Sequence, residues 1–510
     1  MVRRRKIMTA TVLESRTRAF WVFGILLCLI IGAPASGRGI LPIGGQVSIG
    51  VSAGLLPWTP SRPLPPIASL LLDETHETVF PIGSGVPLAT WDSVESGSAR
   101  LILKANIVWD DPATGIVTAD DIIACWTARA SERWDARWAL RGIAGIEDNA
   151  PQINGLAAID ERTLTLTLRA GMNSDNLQKA LTSPALGLSL PGSPSSVSST
   201  GTGPFLVAAN SGDRETLVHS NAHHAGRAYL DQVGVIAYPS ADESAVDFGR
   251  GSLDALLITS NEQEQYAATS RAETGRVEIV GQSLLVLLLN PARLPTLEER
   301  RSLALAADRD GIAAVVLGGN ASPASDFQGG RAEPRDWTAT FEEARRLYSQ
   351  AEVKRDRIVL LVCDDPAARE AAGRLRANWE TLGVPIEIRT SLGPLMLSLE
   401  ADAVLLALRI PSGGEGVLPQ CLALYDRSSW WETAAMALGT EKGTLLRSVR
   451  ALQPDADFAD LETSMDSSAL AVPLARYEIM FAPGPDVSLA PEFVYPGPTF
   501  WRAFKGVPPQ

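Results

Sequence analysis

Cysteine and histidine are scarce, with four of each in 510 residues. Cys28, Cys125, Cys363 and Cys421 stand far apart, with no C-x-x-C pair and no clustered histidines beside them, so the common zinc-binding patterns are excluded. Cys28 falls in an apolar N-terminal stretch. Cys125, Cys363 and Cys421 form an odd set, so at least one thiol stays free within the chain, and they read as small buried apolar residues. Adjacent His223 and His224 lie in a polar, glycine-containing turn with no acid nearby in sequence, a poor metal site. No metal and no cofactor is expected.

Enzymatic signatures are thin. No G-x-S-x-G nucleophile elbow, no H-E-x-x-H and no phosphate-binding loop is expected, and His76, near Glu74 and Glu77, has no indicated nucleophile. An enzyme is not expected. Basic runs of five or six residues are missing, and the formal net charge is −13, which repels phosphate backbones and argues against nucleic acid as a partner. Long apolar runs are missing beyond the N-terminus; Leu284 to Leu289 is a buried strand's length and no more. With 45% hydrophobic and 20% charged residues the chain can build a large core, and its length suits about three domains or one multi-lobed unit.

The N-terminus has the pattern of an export signal. Arg3, Arg4, Arg5 and Lys6 precede an uncharged run from Phe20 to Ile31, and small residues Ala33 and Ala35 place a cleavage point near Ser36. An uncleaved signal anchor is the alternative within residues 1–36. Leu27 before Cys28 argues against a lipoprotein.

In the body, Gln46 to Gly50 alternates as a strand, and the prolines from Pro57 to Pro66 exclude regular helix and central strand. Arg100 to Lys104 is strand-like. Thr118-Ala119-Asp120-Asp121 opens a helix with a side-chain cap, and Thr163 to Leu168 alternates as a half-buried strand. Ser193 to Gly203 is a loop, followed by paired strands at 204–207 and 215–218. Arg300 to Ala307 and Arg309 to Leu317 read as consecutive short helices, the second capped by Asp308 and ended by Gly318-Gly319. From 358 to 410 the pattern is β-α-β: strands Ile358–Cys363, Val384–Ile388 and Ala403–Ile410 surround a helix striped by Ala368, Ala371, Leu375, Trp379 and Leu382.

Several phrases resemble, in order, the signatures of family 5 of the bacterial extracellular solute-binding proteins, which bind peptides or nickel. They are Val108-Trp109-Asp110 with Val117 to Ile122, Ala158 to Leu164, Gly201-Thr202-Gly203-Pro204-Phe205, Gly251-Ser252-Leu253-Asp254, Asn290 with Arg300 to Arg309, Leu382-Gly383-Val384, and Ala469 to Leu474. The resemblance implies an α/β fold, periplasmic-binding-protein-like (type II, cluster C style), with two α/β lobes joined by hinge strands and an inserted small lobe. By that analogy lobe I comprises 37–75 with 186–282 and 472–510, the small lobe 76–185, and lobe II 283–471. The hinge strands fall near Leu284–Asn290 and Val472–Phe481. The implied function is capture of a small solute, a peptide above all, between the lobes for an ABC transporter permease. The implied protein is extracytoplasmic and monomeric. A solute-binding fold turned membrane-associated sensor or scaffold is the alternative.

Peptide-binding members hold the peptide ammonium with an aspartate just after the strand matching Ala403 to Ile410. Here that aspartate is absent; Arg409 stands nearby and Glu415 is the nearest acid. Glu415 would serve an amino terminus, whereas Arg409 would suit a carboxylate or phosphate. Trp430 and Trp431 offer flat apolar walls, of which at most one faces a ligand.

Overall fold

A computed structural model describes residues 43–505 except 53–63, 82–85, 96, 111–112, 147–151, 171–173, 191–199, 212, 220–222, 273–276, 334–335, 352–354, 392–399, 412–415, 427–429, 453–457, 490–499 and 501–502. The export-signal segment and Glu415 lie outside the described residues. Among those described, no helix is long and apolar enough to cross a membrane.

Fifteen of the seventeen strands among the described residues form the two larger sheets: β1 (Gln46–Val51), β2 (Ala89–Glu95), β3 (Ser98–Leu103), β4 (Leu156–Ala158), β5 (Thr163–Thr167), β6 (Phe205–Asn210), β7 (Arg214–His219), β8 (Gln232–Ala237), β9 (Ala255–Thr259), β10 (Glu278–Leu289), β11 (Ser322–Pro323), β12 (Ile358–Cys363), β13 (Ile386–Ser391), β14 (Ala403–Arg409) and β15 (Ala471–Pro483). The main sheet runs β13-β12-β14-β10-β15-β9-β1-β8-β7-β6, with β11 paired to β15. A second sheet runs β2-β3-β5-β4.

The main sheet has two parallel halves. β1 pairs parallel with β8 and β9 in one half, and β12 pairs parallel with β13 and β14 in the other. The antiparallel pair β10–β15 joins them, with β14 antiparallel on one side and β9 on the other. Parallel strands need helices on both faces, and their composition shows it: β9 and β14 are buried at every position. Leu284 to Leu289 of β10 are wholly buried, so the apolar run is a central strand.

Local sequence explains most of the elements. Thr118 accepts from the Asp121 amide at 3.2 Å while the Asp121 carboxylate accepts from the Thr118 amide at 2.9 Å, a reciprocal cap that starts the Ala119–Glu132 helix. Pro366 stands in the first turn of the Pro366–Thr381 helix, whose Ala368, Ala371, Leu375 and Trp379 are buried in the expected stripe. Cys125, Cys363 and Cys421 are free and buried, as expected.

Three details differ from expectation. The proline-rich stretch ends in a helix, Pro66–Thr75, because proline's missing N–H costs nothing in a first turn. Arg309–Gly311 makes a single helical turn and the chain then widens into a π-helix over Ile312–Leu317. Asp308 still caps, its Oδ1 accepting from the Gly311 amide at 3.0 Å. Gly201 and Gly203 are required by contact instead of turn conformation: a Cβ there would stand 2.0 Å from the Thr75 carbonyl oxygen and 2.5 Å from that of Glu74.

Candidate functional site

Ligands in open α/β sheets gather at the carboxyl ends of parallel strands, where chains diverge to opposite faces. In this chain those ends meet across the seam between the two halves of the main sheet. β1 ends into Ser52, β9 into Thr259–Glu262, and β12 into Asp364-Asp365 at the start of the Pro366–Thr381 helix.

The contacts across the seam are polar. Arg369, one turn into that helix, donates to the Ser52 carbonyl oxygen and stands 3.7 Å from Asp364. Ser52 hydroxyl donates to Glu262 Oε1. The other Glu262 oxygen accepts from the Thr259 amide at 2.7 Å and the Thr259 hydroxyl at 2.9 Å. Asp365 Oδ1 accepts from the Ala368 amide at 3.0 Å and the Tyr477 hydroxyl, on β15, at 3.1 Å. Asp365 Oδ2 is buried with no hydrogen-bond partner among the described residues.

Two buried carboxyls, Glu262 and Asp365, thus feel each other's charge, with exposed Glu370 acting on Glu262 and Arg369 on Asp365. Glu262 is 3% exposed and Asp365 is 1% exposed. Burial pushes Glu262 up to about 7, with Asp365 and Glu370 adding repulsion. Burial likewise pushes Asp365 up to about 6, opposed by its hydrogen bonds and by Arg369. Such a cluster is starved of positive charge. A ligand cation entering it would pair with carboxylates already desolvated by the fold.

Arg409, at the end of β14, reaches across the same seam at another point. Its guanidinium pairs with Asp73 and donates to the Ser69 carbonyl oxygen at 3.3 Å, both on the Pro66–Thr75 helix. It is 8% exposed, so its charge is spent on the opposite half of the sheet. Trp430 and Trp431 are 1% and 2% exposed. Trp430 stands edge-on to Tyr425 at 5.4 Å; Trp431 meets Trp134 at 5.8 Å, with Arg450 over its ring at 5.2 Å. Both indoles pack in the core, and the structure brings neither to the carboxyl cluster.

Ser52, Glu262, Asp365 and Arg369 carry no periodic signal, but short patterns mark them. Thr259-x-x-Glu262 after an apolar strand is a capping box, and Asp364-Asp365-Pro366 after another puts acids at a helix start. Gly50-Val51-Ser52-Ala53-Gly54 spells G-x-S-x-G, the pattern of a strained nucleophile turn. That reading needs a base beside the serine. The Ser52 hydroxyl bonds Glu262, and no histidine contacts it among the described residues.

The family model described as bacterial extracellular solute-binding proteins, family 5 (middle), matches residues 88–404. No curated protein sequence matches the chain. Among solved structures, the murein tripeptide binding protein MppA of Escherichia coli has a TM-score of 0.69 at 15% identity, covering 91% of this chain and 99% of that one. The periplasmic binding protein DppA of Helicobacter pylori, in complex with a peptide, gives 0.69 at 16% identity, with 91% and 99% covered. The unliganded open form of MppA gives 0.50 at 15% identity, with 91% and 98% covered. At these identities the likeness establishes the fold, that of a type II periplasmic binding protein.

Proposed function

Because the chain belongs to family 5 of the bacterial extracellular solute-binding proteins, we propose that it captures a peptide between the two halves of its main sheet by hinge closure and presents it to an ABC transporter permease. In this reading one lobe comprises 37–75 with 186–282 and 472–510, the other 283–471, and 76–185 is inserted, by analogy with the family. β10 and β15 are the hinge. The N-terminal segment directs export, so capture takes place outside the cytoplasm, by a monomer. The matches are to solute-binding proteins and not to enzymes.

The carboxyl cluster of buried Glu262 and Asp365, with Glu370 exposed at its edge, carries this reading. A peptide ammonium needs a fixed, desolvated counter-charge. The family's usual aspartate is missing near Arg409, and Asp365, with one oxygen unpartnered, replaces it from the end of β12, the strand beside β14 in the same half. Arg409 acts as a latch to Asp73, not as an anion clamp. Trp430 and Trp431 support the core behind the cleft.

The test is thermal unfolding of the chain from about Ser36 against peptides, amino acids, sugars and organic anions, since a ligand of the folded form raises the midpoint. Free peptides should raise it, N-acetylated ones should not, and Asp365→Asn should abolish the shift. A shift by organic anions alone would sink the peptide assignment. The missing aspartate and the Arg409–Asp73 latch favour a second reading, a sensor or scaffold at the membrane; no shift with any solute would put it first.

A further inference from the structure

Far from the carboxyl cluster, chain segments distant in sequence bring two imidazoles and a carboxylate together. His223 Nε2 lies 3.1 Å from Glu77 Oε1, and His224 Nε2 lies 3.0 Å from Glu77 Oε2, though 146 residues separate Glu77 from His223. The three side chains are 0–1% exposed. Their ligand atoms all lie within 4.8 Å of one another. The acid that the local sequence around the histidines lacks is therefore supplied by the segment after the Pro66–Thr75 helix.

Hydrogen bonding fixes one of the rings. His223 Nδ1 faces the Gly226 carbonyl oxygen at 3.1 Å. A carbonyl only accepts, so Nδ1 carries a proton, and in that neutral tautomer the Nε2 lone pair points toward Glu77. A lone pair facing a carboxylate oxygen at this distance is repulsive unless a proton or a metal ion stands between them. An imidazole held through its far nitrogen by a carbonyl is the arrangement that orients metal-bound histidines. Around the cluster, the Asn106 amide donates to the His224 carbonyl at 3.2 Å, and the Leu188 amide to that of Glu77 at 2.9 Å.

We propose that Glu77, His223 and His224 bind one divalent transition-metal ion of the zinc class, completed by a water in the fourth position. A tetrahedral ion with bonds of about 2.0–2.1 Å separates its ligand atoms by about 3.3 Å; here each imidazole nitrogen stands 3.0–3.1 Å from one of the two Glu77 oxygens, and the three ligand atoms lie within 4.8 Å. Two imidazoles and a carboxylate suit zinc. Burial makes the ion a resident one that fastens the segment after the helix to the segment after β7.

The experiment uses untagged protein from about Ser36, stripped with chelator and titrated with Zn²⁺, and with Co²⁺ for its visible spectrum. One equivalent should bind at pH 7.5, raise the unfolding midpoint, and give the intense visible bands of tetrahedral cobalt. Glu77→Gln and His224→Gln should each weaken binding by more than about 100-fold. Circular dichroism of both metal-free variants checks their fold. Absence of stoichiometric binding to the parent chain at micromolar free Zn²⁺ overturns the site, since it leaves a proton as the bridging cation. Binding unchanged in both variants overturns it equally.

Discussion

Glu262 shows what burial does to a single acid in this fold. The group ordinarily titrates near 4.5 and is pushed up to about 7. The folded chain therefore keeps a proton that the unfolded chain has lost between those values. Stability from this group is fully present below about pH 4.5 and is lost as pH rises through about 7, a loss on the order of 3 kcal/mol. Glu262→Gln keeps an acceptor for the Thr259 cap and removes the ionisation. Its midpoint should vary less between pH 4.5 and 7 than the parent's and exceed it at pH 8, as scanning calorimetry across that range would show. An unchanged slope would mean that Glu262 is not the titrating group. At this scale the sequence is least informative. An acid beside a strand end is visible in the chain, but whether it is buried, and against which other acids, depends on residues more than 100 positions away.

Among the elements, the Pro66–Thr75 helix does the most positioning. It offers Asp73 and Ser69 to Arg409, and its end runs under the turn at Gly201 and Gly203. The Gly203 amide donates to the Thr75 carbonyl at 2.9 Å. A methyl group at Gly203 would strike backbone, which has no side-chain freedom to yield. Gly203→Ala is expected to destabilise the chain by roughly 2 kcal/mol or more, in the manner of overpacking, measured by denaturant unfolding. A loss below 0.5 kcal/mol would show that the turn relaxes. The capped helix at Ala119, the alternating β5 and the β-α-β unit from 358 to 410 were legible because capping and apolar period are local. The Pro66–Thr75 helix was not, since its prolines read as a barrier when only their place in the first turn matters.

For the whole molecule, β10 and β15 are the only main-sheet pair that links the two parallel halves among the described strands. Side-chain ties between the two halves include Arg369 to Ser52 and Arg409 to Asp73. Removing both with Arg369→Gln and Arg409→Gln should leave the protein folded but more expanded without ligand, seen as a larger radius of gyration in solution scattering. Peptide should restore the compact form. An identical radius in parent and variant would mean that other contacts hold the halves together.

The sequence by itself determined the fold class, the family and most strands and capped helices, because apolar period, caps and ordered short phrases are properties of neighbouring residues. It also showed that the usual aspartate is missing. Only the tertiary structure decided what Arg409 pairs with, that Trp430 and Trp431 are core, that Glu262 and Asp365 share one buried cluster, and that Glu77 joins His223 and His224. Charge and desolvation act through space, and the separations that matter are set by packing between segments that the chain order keeps far apart.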